Sequence, residues 1–178
     1  MKSKIIDFDQ HLYHEIEDED EAEKYLDDAL PSIGHIVMYF NALESSLDKI
    51  LCENFTDRTD TIGLIVLNGM NFSSKVELFK RFCDDFHLAV DQSIEGYEQL
   101  INNIKESGKL RNLVVHANWE STDEHGYTYI RLKMSKQGMH QEYVQFSVEA
   151  LQKIINLIIT TRWDLYKYWD LRDELLHK

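Results

Sequence analysis

Residues 31–51 read PSIGHIVMYFNALESSLDKIL, and their apolar positions, Ile33, Ile36, Val37, Phe40, Leu43, Leu47, Ile50 and Leu51, recur at intervals of three and four. That spacing draws one apolar stripe along a helix and leaves the polar residues on the other side. Pro31 is pre-set for a first turn and Ser32 stands close by, so a long amphipathic helix is expected from Pro31 to about Phe55. Seven Gly and a single Pro in 178 residues are few breakers. Helices tolerate that scarcity; a sandwich of short strands does not.

Towards the C-terminus, Thr61 to Leu67 is an apolar block ending at Asn68-Gly69, and Ser73 or Ser74 can then cap a helix through Val76, Leu78, Phe79, Phe82 and Phe86. Ile94, Tyr97, Leu100, Ile101, Ile104, Leu110, Leu113 and Val114 keep helical spacing, with Ser107-Gly108 as the place for a kink or break. After Trp119 the period falls to two. Tyr127, Tyr129, Arg131 and Lys133 alternate with Thr128, Ile130, Leu132 and Met134, and Glu142 to Phe146 alternates again beyond a Gly138 turn, which reads as a β-hairpin. Ser147 caps a last helix whose inner face is Leu151, Ile154, Ile155, Ile158, Ile159 and Trp163. The expected fold is mainly α: a helical bundle of about five helices with one inserted β-hairpin before the C-terminal helix. It is expected to form a single domain over residues 1–178, with an acidic N-terminal segment (1–30) ahead of a core (31–175). The carboxylates crowded between Glu15 and Asp28 read as a solvated run followed by a short helix that stops before Pro31.

An apolar content of 43%, with Phe 8, Tyr 9 and Trp 3, suffices for a real core. Lys and Arg total 19 against 32 Asp and Glu, a formal charge of −13 that repels polyanions at long range and argues against a protein that coats nucleic acid. Contact with RNA or a nucleotide must therefore be local. Cys52 and Cys83 lack a C-x-x-C spacing, so neither a disulfide framework nor a zinc ribbon is indicated. No apolar run approaches the roughly 18 residues of a membrane span, and the N-terminus has no signal-like apolar region. The expectation is a cytoplasmic protein without membrane contact.

The segment Arg111-Asn112-Leu113-Val114-Val115-His116 is the candidate for chemistry. Asn112 and His116 stand at i and i+4 and share a helix face, while Arg111, about 140° from His116, reaches round from the flank. An imidazole, with a reference pKa of about 6.5, is suited to taking a proton from a ribose 2′-hydroxyl. A guanidinium fork matches phosphate oxygens and stabilises charge growing on them. Together they suggest RNA cleavage without a metal or other cofactor. The spacing alone is unspecific. Arg172 and His177 repeat it near the C-terminus, with Asp173 placing negative charge where a phosphate needs a donor, and Arg81 and His87 stand one residue further apart.

Competing structural readings accompany each residue. His116 follows three apolar residues and fits a partly buried histidine bonded to a carbonyl; Arg111 fits an ion pair with one of many carboxylates. Glu44, at the edge of its helix's stripe, either holds Arg111 or bridges to another cation across the bundle. His11, His14 and Glu15 have a metal-like spacing without further nearby ligands, and His125 and His140 fall in hairpin turns. Tyr127, Tyr129, Tyr143 and Trp119 form either a base-stacking platform or the glue between hairpin and helices.

Arg-Asn-x-x-x-His resembles the signature of the HEPN superfamily, small helical domains common in prokaryotic toxin and antiphage-defence ribonucleases. The resemblance extends in order from about residue 31 to 170, through the Phe40 to Leu47 helix, the Asn71-Phe72-Ser73-Ser74-Lys75 helix start and the later Arg-His helix. It implies a homodimer whose two Arg-His helices face each other across a two-fold axis and build one composite cleft. It further implies that Arg111 binds the scissile phosphate, Asn112 helps position it and His116 acts in acid-base cleavage to a cyclic phosphate; Glu44, from its place on the helix stripe, is the supporting candidate. An antitoxin or defence-system protein is the implied partner. Asn118 stands where one subgroup has a nucleotidylated Tyr, so that form of control is not implied here. The same resemblance also fits a non-catalytic interaction or nucleotide-binding module acting with a partner.

Overall fold

The acidic run near the N-terminus opens a helix. The computed structural model describes residues 1–8, 16–55 and 61–177. In it Asp18 accepts the Glu21 backbone N–H on Oδ1 at 3.1 Å, and Glu19, Asp20 and Glu21 fill the first turn of α1 (Glu19–Glu53). Carboxylates there meet the positive end of the helix dipole, so the charges have a local role. Helix α1 then runs 35 residues straight through Pro31, which corrects the expectation of two helices meeting there. Proline withholds the N–H that would bond the Asp27 carbonyl, but both residues are exposed and water can serve that carbonyl. Burial of Ala29 and Ile36 on either side holds the helix together.

After α1 come α2 (Thr61–Asn68), α3 (Phe72–Val90), α4 (Tyr97–Val115), β2 (Asn118–Thr122), β3 (Tyr127–Ser135), β4 (Gly138–Gln145) and α5 (Val148–Leu176); β1 (Lys2–Asp7) precedes them all. The fold is mainly helical, as expected. The expected hairpin, β3–β4, is the middle of a four-stranded antiparallel sheet in the order β1-β4-β3-β2, which corrects the single hairpin. The chain divides into two compact units, Met1–Val37 with Leu110–Ile155, and Met38–Lys109 with Asn156–Lys178.

In the first unit β1 pairs with β4 from Lys2 opposite Gln145 to Asp7 opposite His140. Lys4 secures this edge: its Nζ lies 2.9 Å from Oδ2 of the buried Asp123 and 4.5 Å from the centre of the Tyr127 ring. Asp123 Oδ1 accepts the backbone N–H groups of His125 and Tyr127, so the β2–β3 turn is built round one carboxylate. Gly126 in that turn has φ +77° and sits so tightly against Tyr25 of α1 that no Cβ would fit. Tyr25 in turn donates its hydroxyl to the Phe146 carbonyl. Tyr143, Phe146 and Leu151 are fully buried at the centre of this unit.

The second unit packs Leu43, Leu47 and Leu51 of α1 with Phe79 of α3, Ile104 of α4 and Ile158 and Leu165 of α5, all fully buried. Asn71, not Ser73 or Ser74, caps α3, its side chain accepting the Ser74 N–H at 2.9 Å. Helix α4 passes Ser107-Gly108 unbroken. A Cβ on Gly108 would lie 2.7 Å from the Phe72 ring, so this glycine serves a close approach and not a kink. Ser147 Oγ accepts the Ala150 N–H at 3.2 Å and caps α5 as its sequence predicts. Trp163, expected inward, is 67% exposed. Leu165, Tyr168 and Trp169 take the buried positions of the following turns. Among the described residues, no helix is long and apolar enough to cross a membrane.

Candidate functional site

The last turn of α4 is anchored by Val114, which is fully buried, and presents Asn112 to solvent. His116 stands one residue beyond the last helical residue, yet its N–H still donates to the Asn112 carbonyl at 3.0 Å, so the turn is kept through the histidine. The His116 side chain is exposed, not enclosed in the core. Arg111, half-buried, donates from Nη1 to Asn112 Oδ1 at 3.0 Å. That bond occupies the amide oxygen of Asn112 and leaves its NH₂ group to donate elsewhere. The structure thus joins the Arg111 and Asn112 side chains on the last turn of α4 and places exposed His116 just beyond its end, bonded to Asn112 through the backbone.

A helix C-terminus leaves carbonyls without intrahelical donors. Trp119 supplies one: its indole N–H donates to the Val114 carbonyl at 2.8 Å, and its ring packs on Phe146 with centroids 5.0 Å apart. Thr122 Oγ1 then donates to the Trp119 carbonyl at 2.7 Å and lies 3.0 Å from Thr128 Oγ1 in β3. Trp119 and Thr122 thereby tie the segment after His116 back to Val114 and across to β3. Of the two readings of Trp119, glue describes this geometry, although its cap on the end of α4 is not legible in the spacing. The signal was only a tryptophan three places after the histidine.

Glu44 is engaged in the second unit by Lys75, whose Nζ lies 2.9 Å from Glu44 Oε1 and 2.9 Å from Asp48 Oδ2. Burial works to lower the Lys75 pKa, but the hydrogen bonds and charges of Asp48 and Glu44 together outweigh it and hold the ammonium above its ordinary range. Of the two readings of Glu44, bridging to a cation across the bundle describes this geometry.

The other Arg-His pairs have structural surroundings. The Arg172 guanidinium stacks over Trp169 at 4.2 Å and lies 5.3 Å from the centre of the Phe86 ring, and His177 follows the end of α5. Arg81 is exposed, whereas His87 is packed among Tyr97 and Tyr168. His140 bonds Asp7 across the β1–β4 edge at 3.0 Å. Tyr143 is buried against Tyr129, and Tyr127 lies under Lys4, so these aromatics bind the sheet together. His11 and His14 lie outside the described residues. The chain matches no family model, no curated protein and no solved structure.

Proposed function

We propose that this chain is a HEPN-type endoribonuclease of the toxin or antiphage-defence kind, cutting single-stranded or loop RNA without a metal at a site completed by a second protomer. The observation that carries this reading is the grouping of Arg111, Asn112 and exposed His116 at the end of α4, with Arg111 and Asn112 already hydrogen-bonded. In this scheme the His116 imidazole takes the proton of a ribose 2′-hydroxyl, and the freed oxygen attacks the adjacent phosphorus. The bond from phosphorus to the 5′-oxygen breaks, the leaving oxygen is protonated, and a 2′,3′-cyclic phosphate remains. Arg111 and the Asn112 NH₂ donate to the phosphate oxygens as charge builds on them.

The formal charge of −13 favours a second reading, a non-catalytic interaction or nucleotide-binding module serving a partner protein, because extended RNA is repelled. Incubating structured and single-stranded RNA in EDTA with wild type and His116→Ala separates the two. Cyclic-phosphate ends from wild type alone, with both proteins equally folded, support the nuclease. No cleavage by either protein, with or without co-expressed partner proteins, moves the assignment to the module.

A further inference from the structure

In the second unit Lys75, Lys80, Lys105, Lys109 and Arg172 each lie against a carboxylate. Arg162 of α5 does not: it is half-buried, and among the described residues no carboxylate bonds it, although the chain holds 32 of them. Hydroxyl groups surround it instead. Its Nε donates to Ser46 Oγ of α1 at 2.9 Å, and Ser46 Oγ lies 2.8 Å from the hydroxyl of Tyr166, one turn further along α5. The guanidinium carbon is 5.7 Å from the centre of the Tyr166 ring. Ser46 is 2% exposed, Arg162 and Tyr166 are half-buried and Lys49 is exposed, so the four side chains step from the core to solvent. The Ser46 hydrogen bond first, and then Arg162 and Lys49, hold the Tyr166 hydroxyl below the usual tyrosine range against the opposing effect of burial. Glu53, one turn beyond Lys49, is taken by the Trp169 indole N–H at 2.5 Å. In a chain of net charge −13 this spot is locally positive. A guanidinium drawn partly out of water without a counter-ion carries a desolvation cost that a bound anion offsets.

We propose that Ser46, Lys49, Arg162 and Tyr166 bind a small phosphate dianion, free or as the monoester of a small molecule. Two cations match its charge, and a guanidinium keeps donors beyond the one spent on Ser46. The hydroxyls supply another donor by turning their protons. Ser46 Oγ donates at present to the Ala42 carbonyl at 2.8 Å, which the Ser46 backbone N–H also serves inside α1. When the Ser46 proton turns to Tyr166, the Tyr166 proton is released to an incoming oxygen and no group is left unpaired. A carboxylate, with one charge and two oxygens, uses less of this set. An RNA strand carries one charge per phosphodiester and brings the rest of its length against the acidic surface, whereas a small dianion feels chiefly the cations within a screening length of about 8 Å. All four residues belong to the second unit, and Arg111, Asn112 and His116 belong to the first, so the proposal does not rest on the proposed function.

Isothermal titration of the full chain at mildly alkaline pH and constant ionic strength tests it, with inorganic phosphate, ribose 5-phosphate, acetate and a single-stranded RNA oligomer with hydroxyl ends as probes. Wild type should bind phosphate or the ester saturably, and whichever binds more tightly identifies the source of the dianion. Arg162→Gln should weaken binding at least roughly tenfold. Arg162→Lys, which keeps the charge and loses the fork, should fall between that variant and wild type. Lys49 is exposed, so Lys49→Gln should weaken binding several-fold without changing the melting temperature of the unliganded protein, and far-UV circular dichroism checks that every variant is folded. Absence of saturable binding of either phosphate probe to wild type up to about 10 mM overturns the proposal, as does unchanged binding by folded Lys49→Gln and Arg162→Gln. Acetate that competes at equal concentration reduces the site to general attraction of anions and overturns it too. Displacement of phosphate by the RNA oligomer at comparable nucleotide concentration replaces the small dianion with a nucleic-acid backbone.

Discussion

Asn112 joins the two ends of its motif, accepting Arg111 on its side chain and His116 on its backbone. Spacing made this much legible, because i and i+4 on a helix are neighbours whatever the rest of the chain does. What spacing could not reveal are contacts made from elsewhere: the Trp119 indole on the Val114 carbonyl, and Lys75 on Glu44, which lies 31 positions away on another helix. Trp119→Phe should remove the cap and leave the ring. The expected effect is a stability loss of about 1 kcal/mol by denaturant melting and, on the proposed function, a larger proportional fall in RNA cleavage than in folded fraction, as the end of α4 loses its cap. His87 supports a second expectation. Its Nε2 accepts the Ile94 backbone N–H at 3.3 Å and faces the Tyr168 hydroxyl at 3.1 Å, with Tyr97 edge-on. Burial holds its pKa below the ordinary imidazole range, against the raising pull of Asp84 and Glu98. A nitrogen that accepts cannot also carry a proton, so protonation removes the anchor of the α3–α4 connection. As pH falls the unfolded chain takes its proton first. The stabilising contribution of His87 is therefore complete above an unfolded pKa of about 6.5 and is lost as pH drops through the lower folded value. Amide exchange at Ile94, corrected for intrinsic rate, should accelerate across that window in wild type and not in His87→Phe; constant protection in wild type would disprove the anchor.

Two residues that punctuate helices should respond in opposite directions when replaced by alanine. Pro31→Ala restores a backbone donor inside α1 and should stabilise by up to about 3 kcal/mol, less about 0.4–1 kcal/mol for the freer unfolded chain. Gly108→Ala gains about 1 kcal/mol of helix propensity, but its methyl meets the Phe72 ring at 2.7 Å. Overpacking costs typically about 1–3 kcal/mol, so the net change should be destabilising, and thermal melting of both variants decides the pair of signs. The same two positions show why elements were only partly legible. The helical stripes and the β3–β4 alternation are local patterns, and they appear where expected. Burial continues on both sides of Pro31: that of Ile36 belongs to the stripe read from the sequence, whereas that of Ala29, within the acidic run, was not announced locally. Strand β1 is six mostly exposed residues with no alternation to read, and its pairing partner, β4, lies more than a hundred residues away.

Across the molecule the net charge of −13 governs how any polyanion arrives. Nucleases with extended basic surfaces lose affinity steeply as salt rises. On the proposed function, with RNA contact confined to the end of α4 and repulsion elsewhere, added salt screens more repulsion than attraction. The KM for RNA should stay flat or fall between about 50 and about 200 mM salt; initial rates measure it, and a steep rise would point to an extended basic contact. The two cysteines lend the molecule a different use. Cys52 and Cys83 are sealed in the second unit, and burial pushes the Cys83 thiol up to about 12. An alkylating reagent at mildly alkaline pH finds no thiolate on Cys83 until that unit opens, so the labelling rate is a clock wound by the protein itself. Amide exchange at Tyr143 keeps time for the first unit, and agreement or divergence of the two clocks tells whether the two units unfold in one event or two.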